Sequence, residues 1–478
     1  MEWMDWEPVR GSDVTLSDQL VAWVQQALHL RYRGGSRLPS VRRLAQSTGV
    51  SPHTVVAAYE KLMALGLVES RPGSGFFVRV LSPRRLRSES LQVQKKEPCK
   101  IDVNWMLNSF MGNSDNAGIP RQWLDNDMIL AALRQVSRSA GSSLLGYGHS
   151  HGYRPLRQHI AGQLEDSGIP ADPDTQLLLC SGVTQALDLL LRHWLRPGDA
   201  VVVEDPAWYL LFARLAVVDV RVLSVPRRAD GPDLAVLEQL ACDHRPRLVI
   251  LNTVVHNPTG FSLSPAVAHG ILTLAQTWDF HIIEDDTYSE LHAHPACRLA
   301  QLDQLKRVTL VGGYSKVMAA GLRVAYMAAA PELLRSLVNL KMLAGLTSPE
   351  LSERVIHRVL VDGPYRKHLD RLRRYADADR QRTLEQLAQL GLTPDAPAQA
   401  GMFVWVNTGV DTESLVRALG RPGHLLVPGA LFSPQQQPST YMRINVSLGD
   451  DAPFWSDFAS CLATARRIAT SVPNAEAL

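Results

Sequence analysis

Lys316 stands in "GGYSKVMAAGLRVAYM" (residues 312–327), among small and apolar neighbours, with Ser315 before it and Arg323 seven positions on. In such surroundings the charged ammonium loses hydration, so its pKa falls and part of it becomes neutral, nucleophilic amine. A neutral amine forms an imine with an aldehyde. Elsewhere the chain holds groups suited to the rest of such a partner. The Gly182-Val183-Thr184 turn opens the helical stretch "VTQALDLLLRHWL" and offers backbone N–H groups and the positive end of a helix dipole, which suits a phosphate. Ser315 and Arg323 add a hydroxyl and a charged fork. Asp285 is a carboxylate without a metal partner, suited to holding a ring nitrogen protonated. Asn257 and Tyr288 add hydrogen bonds, and Trp208 in "EDPAWYLL" adds a flat face for stacking.

What must position these groups is legible in the apolar runs that precede them. From about residue 101, short apolar runs alternate with helical stretches, the rhythm of an α/β domain with a mostly parallel sheet. Four runs end in the polar residues just named: "TQLLLCSG", "PRLVILNTVVHNPTG", "FHIIEDDTYSEL" and "RVTLVGGYSK". In an open α/β sheet the carboxyl ends of the strands border the ligand crevice, so the four ends can converge on one molecule. A phosphate, an aldehyde carbon, a pyridine nitrogen and a ring face together describe pyridoxal 5′-phosphate.

The first eighty residues follow another pattern. Leu20, Val21, Val24, Ala27 and Leu28 repeat at helical spacing between Ser17 and Leu30. Ser40 caps "VRRLAQST" and Gly49 ends it. Then "SPHTVVAAYEKLMALG" has Ser51 as N-cap, Pro52 at the first helical position and Gly66 as its stop. "LVESRPGSGFFVRV" reads as a hairpin around Pro72-Gly73-Ser74-Gly75. A helix-turn-helix followed by a hairpin is a winged helix. The second helix of such a pair enters the major groove by its N-terminal end, so Ser51, His53 and Thr54 are candidates for DNA contact. Residues 81–100, "LSPRRLRSESLQVQKKEPCK", lack apolar periodicity and read as a basic linker.

Composition agrees. The chain has 478 residues, 46% hydrophobic and 20% charged, enough for two or three domains with a large core. The net charge of +2 is uneven, +6 over residues 1–100 and −4 over the rest, as a basic module for phosphate would give. The five cysteines are scattered and never at ligand spacing, so neither a disulfide framework nor a metal site is expected, and a reducing cytoplasm fits. No apolar run is long enough to span a membrane. Trp194 and Trp278 follow helical apolar faces and are expected in the core.

"RLPSVRRLAQSTGVSPHTVVAAYEKLMALGLVESRPGSGFFV" resembles the GntR-type DNA-binding domain. The resemblance implies DNA contacts by Arg42, and by Arg71 with the Gly73–Gly75 wing. Pro52 and Val56 stand where many relatives have arginine, so base specificity does not carry over. The ordered set "SGVTQAL", "EDPAW", "HNPTG", "EDDTY", "YSK", "GLRVAY" resembles fold-type I, aspartate-aminotransferase-like enzymes over roughly residues 140–450. That implies a mixed, mostly parallel sheet with helices on both faces and a smaller C-terminal α+β subdomain. It implies Lys316 as the imine-forming lysine, Asp285 on the pyridine nitrogen, Tyr288 and Asn257 on the phenolic oxygen, and Trp208 on the ring. Ser315, Arg323, Val183 and Thr184 would hold the phosphate. Asp285 rather than Asp286 matches because the family's acid lies three residues before its tyrosine. Tyr147 in "LLGYG" matches the tyrosine that reaches the neighbouring subunit's phosphate, which implies a homodimer. Arg443 in "YMRINVS" matches the arginine that grips an α-carboxylate. Gly313 departs from a frequent phosphate-binding serine.

Together, a winged helix (1–80), a linker (81–100) and an aminotransferase-like domain (101–478) resemble the MocR/GabR-type transcriptional regulators. The resemblance implies a cytoplasmic, PLP-dependent regulator that binds a double-stranded operator and senses an amino compound or PLP itself. A working aminotransferase with an accessory DNA-binding module stays open, because every cofactor contact and the carboxylate arginine are present.

Overall fold

The computed structural model describes residues 14–31, 35–71, 73–79, 119–120, 123–396, 400–420 and 426–471, with a few isolated positions besides. The expected linker at 81–100 lies outside the described residues. The chain falls into two compact units, residues 1–96 and 97–478.

The first unit runs α1 (Leu16–Arg31), α2 (Val41–Thr48), α3 (Pro52–Ala64), β1 (Val68–Arg71) and β2 (Gly75–Val78). Its caps are the ones the sequence spells. Ser40 Oγ accepts from Arg43 N at 3.3 Å, Ser51 Oγ accepts from Thr54 N at 3.1 Å, and Gly49 leaves α2 at φ 67°. These side-chain oxygens satisfy N–H groups that a helix start leaves without partners. Leu20, Val24, Leu44, Val55, Ala58 and Leu62 are fully buried and form the centre of its core. β1 and β2 pair antiparallel from Val68↔Val78 to Arg71↔Gly75, and the turn between them needs Gly73 at φ 73°.

The second unit is built on an eight-stranded sheet: β3 (Leu177–Cys180), β4 (Ala200–Asp205), β5 (Arg221–Arg228), β6 (Gly231–Pro232), β7 (Leu248–Leu251), β8 (His281–Asp285), β9 (Val308–Gly313) and β10 (Ala325–Ala328). Their order is β3-β10-β9-β8-β7-β4-β5-β6. β9, β8, β7, β4 and β5 run parallel, and β10 runs antiparallel to both β9 and β3. β3 therefore points the same way as β9. The helices are α4 (Asn126–Ser139), α5 (Arg154–Asp166), α6 (Val183–Trp194), α7 (Tyr209–Val218), α8 (Leu234–His244), α9 (Pro265–Trp278), α10 (Leu299–Asp303), α11 (Pro331–Gly345), α12 (Glu350–Val361) and α13 (Pro364–Gln389).

Both faces of the sheet are covered, which is why the strands read as continuous apolar runs. Leu177, Leu179, Val202, Val249 and Leu251 join one core, and their neighbours Leu178, Cys180, Val201, Val203, Leu248 and Ile250 join the other. A smaller antiparallel sheet follows, β11 (Phe403–Asn407), β12 (Leu426–Pro428) and β13 (Tyr441–Asn445), in the order β11-β13-β12, with α14 (Thr412–Leu419) and α15 (Ala452–Ser471). This is the mixed, mostly parallel sheet and α+β subdomain expected from the sequence.

Trp194 and Trp278 pack against the two cores as expected, but only in part. Both are half-buried at the rim. Trp194 stacks on His281 with centroids 3.8 Å apart, and Trp278 lies under the Arg245 guanidinium at 4.3 Å. A large ring at the end of a helix finds polar neighbours more readily than a place inside the sheet's packing. Among the described residues, no helix is long and apolar enough to cross a membrane.

Candidate functional site

Strand direction brings the four polar segments together. β3, β7, β8 and β9 all finish at one edge of the sheet, and the chain leaves them through Ser181-Gly182, Asn252–Asn257, Asp285–Tyr288 and Gly313–Lys316. Lys316 is partly buried there, with Nζ 5.8 Å from the centre of the Tyr288 ring. Loss of hydration pushes its pKa down to about 8; the Arg443 and Arg323 charges add to the effect and Asp285 opposes it. These surroundings favour the neutral amine more than those of an exposed lysine do.

Of the two adjacent acids, Asp286 is spoken for. It pairs with Arg298 Nε at 2.9 Å and accepts from Ser289 Oγ at 2.7 Å. Asp285 ends β8 with no ion pair among the described residues, and burial pushes its carboxyl up to about 6. The backbone carbonyl of Asp285 accepts from Asn252 Nδ2 at 2.8 Å, while Asn252 Oδ1 accepts from Asn257 N at 2.7 Å. One amide thus ties the ends of β7 and β8. Beside them His256 is fully buried with Nδ1 2.9 Å from Thr259 Oγ1, a packing role.

On the other side of this cluster, Arg323 Nη2 donates to Thr184 Oγ1 at 2.8 Å. Gly182 stands at φ 85°, and a Cβ there would lie 2.2 Å from Arg323 Nη2. The missing side chain is the space the guanidinium occupies. Val183 begins α6, so its backbone N–H and that of Thr184 belong to the first turn, which has no side-chain cap. Ser315 is half-buried beside the lysine, and Trp208 is half-buried just before α7. At Gly313 a Cβ would lie 3.1 Å from both Ala325 Cβ and Val183 Cγ2, so the serine of many relatives would need these neighbours to give by a few tenths of an ångström.

The smaller sheet supplies Arg443. Its side chain is buried on β13, opposite Trp405. Nη1 donates to Asn257 Oδ1 at 2.9 Å, Tyr209 adds a side-chain hydrogen bond, and the guanidinium lies 4.0 Å from the centre of Phe403 and 5.2 Å from that of Phe432. Burial lowers its pKa. Nε is buried with no hydrogen-bond partner, an orphan donor of a kind that a carboxylate ligand would satisfy. Tyr147 does not join this cluster. It is 84% exposed, past the end of α4.

Lys316, Asp285, Tyr288, Asn257, Arg323, Thr184 and Arg443 are therefore brought to one edge. Tyr209, Thr287, Asn252, Phe403 and Phe432 also belong to it and were not singled out by sequence. Tyr209 and Thr287 stand next to chosen residues in "EDPAWYLL" and "EDDTY", the only signal that could have pointed to them. The donor set fits pyridoxal 5′-phosphate. An amine of lowered pKa, a carboxylate free of cations, an arginine–threonine corner at a helix start and an orphan guanidinium donor match its aldehyde, ring nitrogen, phosphate and an amino acid's carboxylate.

In the first unit Arg42, Ser51, His53, Arg71, Gly73 and their neighbours share an exposed surface character. Ser51 is half spent, since its Oγ caps α3 and lies 2.9 Å from Thr54 Oγ1. Arg71 is held by Glu69 at 2.7 Å and lies 4.4 Å above the Phe77 ring. Gly75 takes φ 102° at the foot of the wing. Arg42 and His53 carry no such partner among the described residues.

Two family models match the chain: aminotransferase class I and II over residues 112–453, and bacterial regulatory proteins of the gntR family over residues 16–78. The HTH-type transcriptional regulator YjiR of Escherichia coli is 29% identical over 456 residues, 91% of this chain and 94% of that one. The probable rhizopine catabolism regulatory protein MocR of Rhizobium meliloti is 25% identical over 401 residues, 80% and 78%. Among solved structures, the α-aminoadipate aminotransferase LysN of Thermus thermophilus, complexed with N-(5′-phosphopyridoxyl)-L-leucine, superposes with a TM-score of 0.67 at 28% identity, covering 74% of this chain and 92% of that one.

Proposed function

Because the chain belongs to the aminotransferase class I and II family and carries a gntR-type winged helix ahead of that unit, the MocR/GabR-type arrangement, we propose that it is a DNA-binding transcriptional regulator whose aminotransferase-like unit holds pyridoxal 5′-phosphate at Lys316 and senses an amino compound. The observation that carries this reading is the meeting, in one chain, of a capped helix-turn-helix with a wing and a strand-end cluster of Lys316, Asp285 and Arg443. When bound, the cofactor supplies an electrophilic carbon and an electron-withdrawing ring. The residues do the rest. Arg323 and Thr184 would hold the phosphate, Asp285 would keep a proton on the ring nitrogen, and Tyr288 and Asn257 would serve the phenolic oxygen. Arg443 takes the effector's carboxylate through the donor it leaves unsatisfied, so the site selects an amino acid or a close relative.

Arg443 sits on the smaller sheet, and Asn257 at the end of β7 on the large one. A carboxylate on the free Nε of Arg443 adds a ligand beside this link between subdomains, and a ligand with different affinities for two arrangements shifts their populations. DNA affinity then follows the ligand. Two copies would complete the assembly: Tyr147 and its near neighbour Leu145, 84% and 89% exposed, would meet a second chain, and Tyr147 would serve that chain's phosphate. DNA binding and the free cysteines fit a cytoplasmic protein.

The test pairs two measurements on the full-length protein loaded with PLP. DNA selected from a random pool gives a duplex for fluorescence anisotropy, and a panel of amino compounds is screened for changes in the bound cofactor's absorption. A compound that changes the absorption should also change the duplex Kd. Steady turnover with an amino donor and a keto acid, with DNA affinity indifferent to every compound, would replace this reading by that of a working aminotransferase.

A further inference from the structure

The two donors on Asp285 both come from one residue. Thr287 N donates to Asp285 Oδ1 at 3.0 Å, and Thr287 Oγ1 makes a short hydrogen bond to the same oxygen. Neither reaches Oδ2. The main chain on either side is fixed as well, because Asn252 Nδ2 holds the Asp285 carbonyl at 2.8 Å and Asp286 N donates to Val311 O at 2.8 Å. The neighbouring carboxylates have other employment: Glu284 accepts from Thr253 Oγ1 and from the N–H groups of Leu299 and Ala300, and Asp286 is paired with Arg298. Of the three, only Asp285 has one oxygen doubly occupied by a local turn and, among the described residues, no hydrogen bond to the other.

Resting on the reading of this edge as a PLP site, we propose that Thr287 is a positioning residue for the cofactor's ring nitrogen: it occupies Oδ1 with its hydroxyl and its N–H, keeps the carboxylate ionised, and leaves Oδ2 to the pyridine nitrogen.

The chemistry supports the need for such a residue. Burial disfavours the charged carboxylate, and the nearby charges of Asp286 and Glu204 disfavour it further. Among the described residues no ion pair to Asp285 offsets them, and Lys316 acts on it only through space. Hydrogen bonds to the ionised form are what remains, and Thr287 provides both. A carboxylate protonated at neutral pH would share its proton with the ring nitrogen weakly and would attract the pyridinium less. Threonine is apt because its side chain folds back two residues along its own chain in an Asx-type turn, so the constraint needs no distant partner.

The experiment measures the PLP dissociation constant of the full-length apoprotein against pH from about 5.5 to about 8.5, by equilibrium absorption, in wild type, Thr287→Val and Thr287→Ser. Wild-type affinity should fall as pH drops through the Asp285 carboxyl, because protonation removes the partner of the pyridinium. In Thr287→Val one of two donors is lost, and the same fall should start about one pH unit higher, with affinity near the alkaline end of the range reduced by less than about threefold. Thr287→Ser keeps the hydroxyl and should follow wild type. Other groups that act on this carboxylate or feel it, Asp286, Glu204, Lys316 and Tyr288, are unchanged among the three proteins, so the difference between profiles reports Asp285. A merely structural role would lower affinity by one factor at every pH. That result, or a Thr287→Val profile superimposed on wild type, overturns the proposal. Failure of wild type to bind PLP at any pH would instead overturn the cofactor reading on which it rests.

Discussion

Replacing Gly182 by alanine should weaken PLP binding through a residue that is distant in sequence. The added Cβ would stand 2.2 Å from Arg323 Nη2 and 2.6 Å from Cζ, at a backbone φ of 85°. No rotation of Cβ is available, so the guanidinium must move, and its 2.8 Å bond to Thr184 Oγ1 goes with it. A hydrogen bond from a charged group contributes about 1.5–3 kcal/mol, so losing one from Arg323 to the phosphate lowers affinity roughly 10- to 100-fold. The backbone at φ 85°, ψ 160° adds a separate cost to folding of about 1–3 kcal/mol. PLP titration of the apoprotein reads the first effect and denaturant unfolding the second. Because Gly182→Ala acts by evicting Arg323, the Gly182→Ala/Arg323→Ala double variant should bind PLP no more weakly than Arg323→Ala alone. Affinity of Gly182→Ala within about threefold of wild type, or full additivity with Arg323→Ala, would refute the steric argument.

Lys316→Ala should lose the borohydride-reducible link to PLP, seen as loss of the modified peptide by mass spectrometry. In the wild type the rate of attachment should rise with pH and level off above about 8, since the amine's pKa is pushed down to about 8 and only about a tenth is neutral at pH 7. Arg443→Gln should retain PLP but bind an amino acid effector at least roughly 30-fold more weakly, because truncating a buried charged partner costs about 2–5 kcal/mol; an unchanged spectral titration would count against its role. Arg42→Ala should reduce DNA affinity and lower the salt slope by about one, as expected when one phosphate contact is lost. Lys61→Ala should leave both nearly unchanged, since its ammonium is engaged by Asp18 at 2.6 Å; equal losses in the two variants would exclude the groove model.

What the sequence determined is what short segments determine. Ser40 and Ser51 cap their helices and Gly49 ends one because a cap is made within three residues. Apolar runs ending in Gly182, Asn257, Asp285 and Lys316 specify strands, and parallel packing puts their carboxyl ends at one edge. Asp285 rather than Asp286 is what the family resemblance implies, and in the structure it is Asp286 that pairs with Arg298. Three things waited on tertiary structure. Trp194 and Trp278 had core spacing, but their position at helix ends set them against His281 and Arg245. The Gly182 requirement arises from the guanidinium of Arg323, far along the chain, and nothing in "SGVTQAL" announces it. The state of Arg443 depends on Asn257, 186 residues earlier, and on a ring of Tyr209, Phe403 and Phe432 drawn from both parts of the unit. Residue types and periodicities report the partners within a turn or a strand, whereas burial, orphan donors and the space beside a glycine are properties of the packed chain, and only packing decides them.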